Sequence, residues 1–206
     1  MKRLFSAIVA VAMMAFASAA TAQDANLDTS SVLEMQIGNP DAAVTVIEYA
    51  SYTCPHCASF HKGNFKKLKA DYIDTGKINF VYREVYFDRF GVWASALARC
   101  AGPEKFFGIS DLLYDGQATW ARAGGGDPAA IVGEIRKIGR LAGLDGDSIE
   151  ACLQDGDKLR TLVAWYQENA EEHGIQSTPS FVINGQTHNN MAYPEMQRLI
   201  DEAAGS

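Results

Sequence analysis

Val44-Thr45-Val46-Ile47-Glu48-Tyr49, four linking residues, then Cys54-Pro55-His56-Cys57 is the stretch on which the fold turns. The first six residues are mostly β-branched or aromatic and read as a buried strand. Proline directly after Cys54 suits the first position of a helix, where its missing N–H is not needed. Ala58, His61, Phe65, Leu68 and Tyr72 continue at helical spacing, with Lys62, Lys66 and Lys69 on the other side. Gly63 can bend this helix. Gly76 closes it, and residues 78–85 read as a second strand.

Working outward, Gly38-Asn39-Pro40-Asp41 is a turn, preceded by a short strand around Val32 to Gln36. From Asp88 to His173 the pattern changes to helix after helix. Asp127-Pro128 is a strong helix start and Asp147-Ser148 a weaker one. Gly124-Gly125-Gly126 is a loop; without a following Lys-Ser/Thr it is no phosphate cradle. Strand signals return at Ser180-Phe181-Val182-Ile183, closed by an Asn184-Gly185 hairpin turn, and a last helix runs roughly from Pro194 to Ala203. A strand–helix–strand unit, interrupted by helices before the sheet resumes, is a mixed α/β domain with an all-helical insert. The expected parts are 23–87, the helical insertion 88–173, and 174–206.

Residues 1–22 read as a signal peptide. Lys2 and Arg3 precede an apolar run, and Ala20-Thr21-Ala22 offers small residues for cleavage before Gln23. The apolar run is shorter than the roughly 20 residues a spanning helix needs. Cleavage takes the formal net charge from -7 to -9, because two basic residues and no acidic ones are lost. That balance argues against nucleic acid and anionic membrane surfaces as partners. An exported chain meets an oxidising compartment, where disulfides persist. The four cysteines permit three pairings. Two intervening residues make Cys54 and Cys57 the natural neighbours, which leaves Cys100 with Cys152.

A Cys-x-x-Cys opening a helix after a strand suits redox chemistry. Cys54 would sit where helix N–H groups lack partners and the dipole is positive, which favours the thiolate that attacks disulfides. Cys57 lies one turn deeper and would resolve the attack. Lowering a thiol pKa from about 8.5 to about 3.5 is worth roughly 7 kcal/mol. The dipole supplies at most about 2. Hydrogen bonds from backbone N–H groups and the His56 imidazole must therefore add roughly 1.5–3 kcal/mol each. A stabilised thiolate makes the disulfide form the stronger oxidant. The other readings of this motif are an inert structural disulfide or half of a zinc site, with His61 four residues on. A zinc site wants two further ligands at compact spacing, and none follows.

The run from Gly38-Asn39-Pro40-Asp41 through Glu48 to Cys54-Pro55-His56-Cys57 resembles the DsbA family of periplasmic dithiol oxidases. The likeness extends over the helical block and Ser177-Thr178-Pro179-Ser180-Phe181, essentially the whole chain after residue 22. It implies a thioredoxin-like fold with an inserted helical domain. It implies that Pro179 is cis beside the active cysteines and that Thr178 offers backbone to an extended substrate peptide. It places a buried acid at Glu48, which could relay protons to Cys57. Cys100 and Cys152 depart from the simplest members and are similar to the second disulfide of a family subset, read here as structural.

The catalytic set expected is thus Cys54, Cys57, His56, Pro55 and Glu48, with Thr178 and Pro179 binding substrate and no metal or cofactor. The resemblance implies folding secreted proteins as substrates, a quinone-linked membrane oxidase for reoxidation, and a monomer in the periplasm. The alternatives are a disulfide isomerase or reductase kept reduced by another partner, or a thiol-based metal-binding protein. His173 and His188 are expected at the surface, and Phe106, Phe107, Trp120, Trp165 and Tyr166 in the core.

Overall fold

The computed structural model describes residues 27–205, so the expected signal segment lies outside the described residues. Its strands are β1 (Met35–Gly38), β2 (Val44–Ala50), β3 (Ile78–Glu84), β4 (Ser180–Ile183) and β5 (Gln186–Asn189). They form one sheet in the order β1-β3-β2-β4-β5. β2 and β3 are parallel, as a strand–helix–strand crossover requires, and the other pairs are antiparallel. Asn184 and Gly185 both have positive φ, +44° and +84°, which a two-residue hairpin turn demands.

The first strand begins three residues later than Val32. Its pairing with β3 fixes it, Met35 opposite Tyr82 through Gly38 opposite Asn79. Gly38 sits at φ +101°, and a Cβ there would lie 2.4 Å from the Ile78 carbonyl oxygen. Only glycine lets the two backbones approach so closely.

Side chains alternate across the sheet. Val44, Val46 and Glu48 share one face of β2, and Phe80, Tyr82 and Phe181 extend that face into the main core. Tyr49 and Val182 turn the other way, into a smaller cluster with Val85, Ile47, Tyr166 and Ile175. Against the main face pack α1 (Pro55–Lys62), α2 (Asn64–Leu68) and the C-terminal α8 (Tyr193–Ala203). The single helix expected over 55–76 is broken. Gly63 leaves helical geometry at φ -123°, ψ -82°, and Lys69–Ile73 form a π-helical turn after α2. The buried stripe survives through Phe65, Leu68 and Tyr72, and the Tyr72 hydroxyl donates to Asp201 of α8 at 2.9 Å.

Between β3 and β4 lie α3 (Arg89–Cys100), α4 (Pro103–Trp120), α5 (Pro128–Leu141), α6 (Gly146–Gln154) and α7 (Gly156–Glu172), with a 3-10 turn at Ala123–Gly125. Carboxylates of Asp88, Asp127, Asp145 and Asp155 cap α3, α5, α6 and α7. The α6 start falls at Asp145, two residues before the expected Asp147-Ser148, because Asp145 accepts the Ser148 backbone N–H at 2.9 Å. Phe106, Trp120 and Trp165 are buried, with Phe107 and Tyr166 half-buried against the core. His173 is not a free surface group: its Nδ1 lies 2.7 Å from the Tyr49 hydroxyl.

Cys100 at the end of α3 and Cys152 in α6 form a disulfide across 52 residues, with Cα atoms 5.8 Å apart. Loop-closure entropy for that span is worth up to about 4 kcal/mol. Replacing both cysteines by alanine is therefore expected to lower Tm by up to roughly 8–16 °C at this size, read by calorimetry. An unchanged Tm would show that the bond does not hold the helical block together.

Candidate active site

The end of β2 delivers the chain into the loop Ser51–Thr53, and Cys54 then caps α1. Cys54 has extended backbone, φ -81° and ψ 120°, with Pro55 as the first helical residue. Its N–H donates to the Ser51 carbonyl at 3.1 Å, and its own carbonyl accepts the Ala58 N–H at 3.2 Å. β4 runs antiparallel to β2 with Ser180 opposite Tyr49, so the residues just before β4 arrive beside the cysteine loop. The Thr178–Pro179 peptide is cis, as the resemblance implied. The Cys54 thiol points at the Thr178 carbonyl oxygen, 3.5 Å away.

Cys54 and Cys57 are free thiols, and they differ sharply. The Cys54 pKa is lowered to about 5. The largest cause is the hydrogen bond with the Cys57 thiol; burial opposes it, and Thr178 and the backbone N–H groups of Cys57 and His56 add to it. His56 thus acts through its backbone N–H. Its side chain is exposed. Cys57 is fully buried and its pKa is pushed far up, first by burial, then by Cys54 and by Glu48. One sulfur is an anion at neutral pH and its neighbour a thiol.

Glu48 is completely buried under α1, as its place on the main-core face of β2 requires. Its Oε2 lies 2.9 Å from Nε2 of His61, also buried. The sequence placed His61 on the apolar stripe of the helix and weighed it as a metal ligand. Its spacing four residues after Cys57 put it on the same helix face, but nothing in the chain marked Glu48 as its partner. Among the described residues no three His, Cys, Asp or Glu side chains converge as a metal site.

Two further ties to the helical block carried no sequence signal. Gln117 of α4 donates through Nε2 to the carbonyls of Tyr52, at 2.8 Å, and Cys54, at 2.9 Å. Asp88 divides its carboxylate: Oδ1 caps α3 through the N–H groups of Phe90 and Gly91, while Oδ2 accepts from the Thr53 hydroxyl at 2.8 Å. Beneath the loop the Tyr52 hydroxyl meets Ser110 at 2.6 Å, and Tyr82 meets Tyr114 at 2.5 Å.

A Cys-x-x-Cys at a helix start, facing a cis-proline loop on a five-stranded sheet with a helical insertion, defines a thioredoxin-fold protein with a dithiol site. The family model described as "Thioredoxin" matches residues 30–202. A Rickettsia bellii protein named "Putative protein-disulfide oxidoreductase" is 34% identical over 175 residues, covering 82% of this chain and 64% of that protein. Disulfide bond formation protein D of Bacillus subtilis is 27% identical over 176 residues, 81% of this chain and 75% of its own. The crystal structure of Wolbachia pipientis alpha-DsbA1 superposes with a TM-score of 0.75 at 28% identity, covering 84% of this chain and 91% of that one. The chain belongs to the DsbA family. It spans just under two thirds of the length of the rickettsial relative.

Proposed function

We propose that this protein is a thiol–disulfide oxidoreductase working as a protein dithiol oxidase, which donates a Cys54–Cys57 disulfide to folding secreted proteins. The observation that carries this is the inequality of the two sulfurs, Cys54 drawn down to about 5 and Cys57 pushed up by burial. A thiolate that favours the dithiol form makes the disulfide form oxidising. A substrate thiolate attacks Cys54 Sγ, the Cys54–Cys57 bond breaks, and its electron pair leaves on Cys57. The mixed disulfide at Cys54 is then resolved by the substrate's second thiol, which leaves the substrate oxidised and the enzyme reduced.

Pro55 and the backbone N–H groups of His56 and Cys57 shape the helix start that holds the Cys54 anion. Glu48 relays protons to and from Cys57. Thr178 and Pro179 receive the substrate backbone by strand addition. Residues 88–173 form the helical domain that frames the site, and Cys100–Cys152 braces it. The family likeness supports a monomer in the periplasm, reoxidised by a quinone-linked membrane oxidase. No helix among the described residues is long and apolar enough to cross a membrane.

The reduction potential, equilibrated against glutathione, tests this reading. A value approaching about -120 mV is expected for a disulfide donor, and one near about -270 mV would overturn it in favour of a reductase.

A further inference from the structure

The proposed cycle leaves an electron pair on a sulfur that water does not reach. Cys57 is fully buried, and a thiolate there must be protonated as it forms. Glu48 is the acid beneath it, but Glu48 is itself fully buried and must be resupplied. The groups that surround it decide how.

His61 follows Cys57 by one helical turn and therefore shares its face of α1. Its Nε2 bonds Glu48 Oε2 at 2.9 Å. The ring lies nearly flat on Tyr114 of α4, centroids 4.1 Å apart and planes 15° apart, and meets Phe65 at 4.6 Å. Phe60 and Tyr82 close its edges at 5.6 and 5.8 Å. The imidazole is clamped in one orientation. Yet the pair is not saturated: among the described residues His61 Nδ1 and Glu48 Oε1, both buried, have no hydrogen-bond partner. A couple serving only to fill the core would pair these atoms, since an unmet polar atom is costly. The titratable groups facing the ring are Glu48 from β2, Tyr82 from β3, Tyr114 from α4 and Cys57 on α1, with exposed Asp111 of α4 close enough to feel its charge.

We infer that His61 is a positioning residue for the exchange reaction, holding Glu48 toward Cys57 and resupplying the proton that Glu48 gives up. The inference rests on the exchange role proposed above. When substrate thiolate bonds to Cys54, the Cys54–Cys57 bond breaks and its electron pair stays on Cys57 Sγ. A proton passes from the Glu48 carboxyl to that sulfur. The carboxylate left behind is held by the Nε2–H of His61, and the imidazole passes on a proton regained from solvent by way of exposed Asp111 of α4. The substrate dithiol is oxidised, the enzyme disulfide is reduced, and no other reactant is needed.

The test uses oxidised full chain, wild type, His61→Phe and His61→Gln, reduced by dithiothreitol over a range of pH. Rates are corrected for the dithiothreitol thiolate fraction. Phenylalanine keeps the stacking on Tyr114 but removes both nitrogens; glutamine keeps a donor for Glu48 but cannot carry a proton. Both variants are expected to be slower by about a hundredfold at neutral pH, the low side of what positioned proton transfer contributes. The Cys54 titration should stay in place in both, and the wild-type rate should show a solvent deuterium effect that His61→Gln lacks. Equal corrected rate profiles in wild type and His61→Gln, or a wild-type deuterium effect of unity, would overturn the inference. If the wild type itself fails to exchange with dithiothreitol, the oxidoreductase reading fails instead.

Discussion

Cys54→Ser is expected to abolish exchange activity outright, whereas Cys57→Ser should accumulate mixed disulfides with substrate. Titrating the reduced wild type by its thiolate absorbance should show one transition centred at about 5. Stability should follow the same group. A thiol whose pKa falls on folding contributes stability that is complete above its unfolded value and is lost as pH falls through its folded value. Reduced protein should therefore gain stability over oxidised protein between about 5 and the ordinary thiol value of 9.0, and lose that advantage toward pH 5. Cys57, pushed upward, stays protonated through most of this window and adds no slope there. At pH 7 the advantage is about 1–2 kcal/mol after allowing for water on the open side of the sulfur, or roughly 20–40 mV for a two-electron couple. Denaturant unfolding of both redox forms at several pH values measures it. A reduced form no more stable than the oxidised one at neutral pH would show that Cys54 titrates as an ordinary thiol.

Arg99→Met is expected to be the most damaging single change away from the cysteines. Glu84 at the end of β3 is 1% exposed, and Arg99 holds it through Nε and Nη2, both at 2.6 Å. Ser95 adds a third bond at 2.9 Å, and Arg99 Nη1 reaches the Leu33 carbonyl at 2.8 Å. Burial works against the guanidinium's charge, and Glu84 more than restores it, so the Arg99 pKa is raised. Removing one partner strands the other charge inside, at a cost of about 3–5 kcal/mol. For a chain of this size that lowers Tm by roughly 6–20 °C. The double change Arg99→Met with Glu84→Leu should recover much of the loss, because replacing both charges by apolar groups is close to neutral. A single variant within about 1 kcal/mol of wild type would mean that Glu84 finds water or another donor.

Much of the architecture was legible because it depends on local chemistry. The strand before Cys54, the proline after it, Asp127-Pro128 and Asn184-Gly185 each act over a few residues, and each stands where expected. The partners that complete the site act across the fold. Glu48 and His61 meet only because the pleat of β2 and the phase of α1 turn both inward. Gln117 reads as any polar helix residue until α4 packs on the cysteine loop. The break at Gly63 and the π turn after it are changes of register, and an uninterrupted apolar stripe conceals them. The backbone N–H of His56 also bears on Cys54, a contribution that residue type does not announce.

The grip of Gln117 on two consecutive stretches of loop backbone has an evolutionary and practical corollary. The inserted helices are not an accessory that could be trimmed away to leave a working miniature: excision would bare the Tyr52 and Cys54 carbonyls, take Ser110 from Tyr52, and uncover His61. Any shortened scaffold built from this chain would have to replace that amide with another double donor before its cysteines kept their settings.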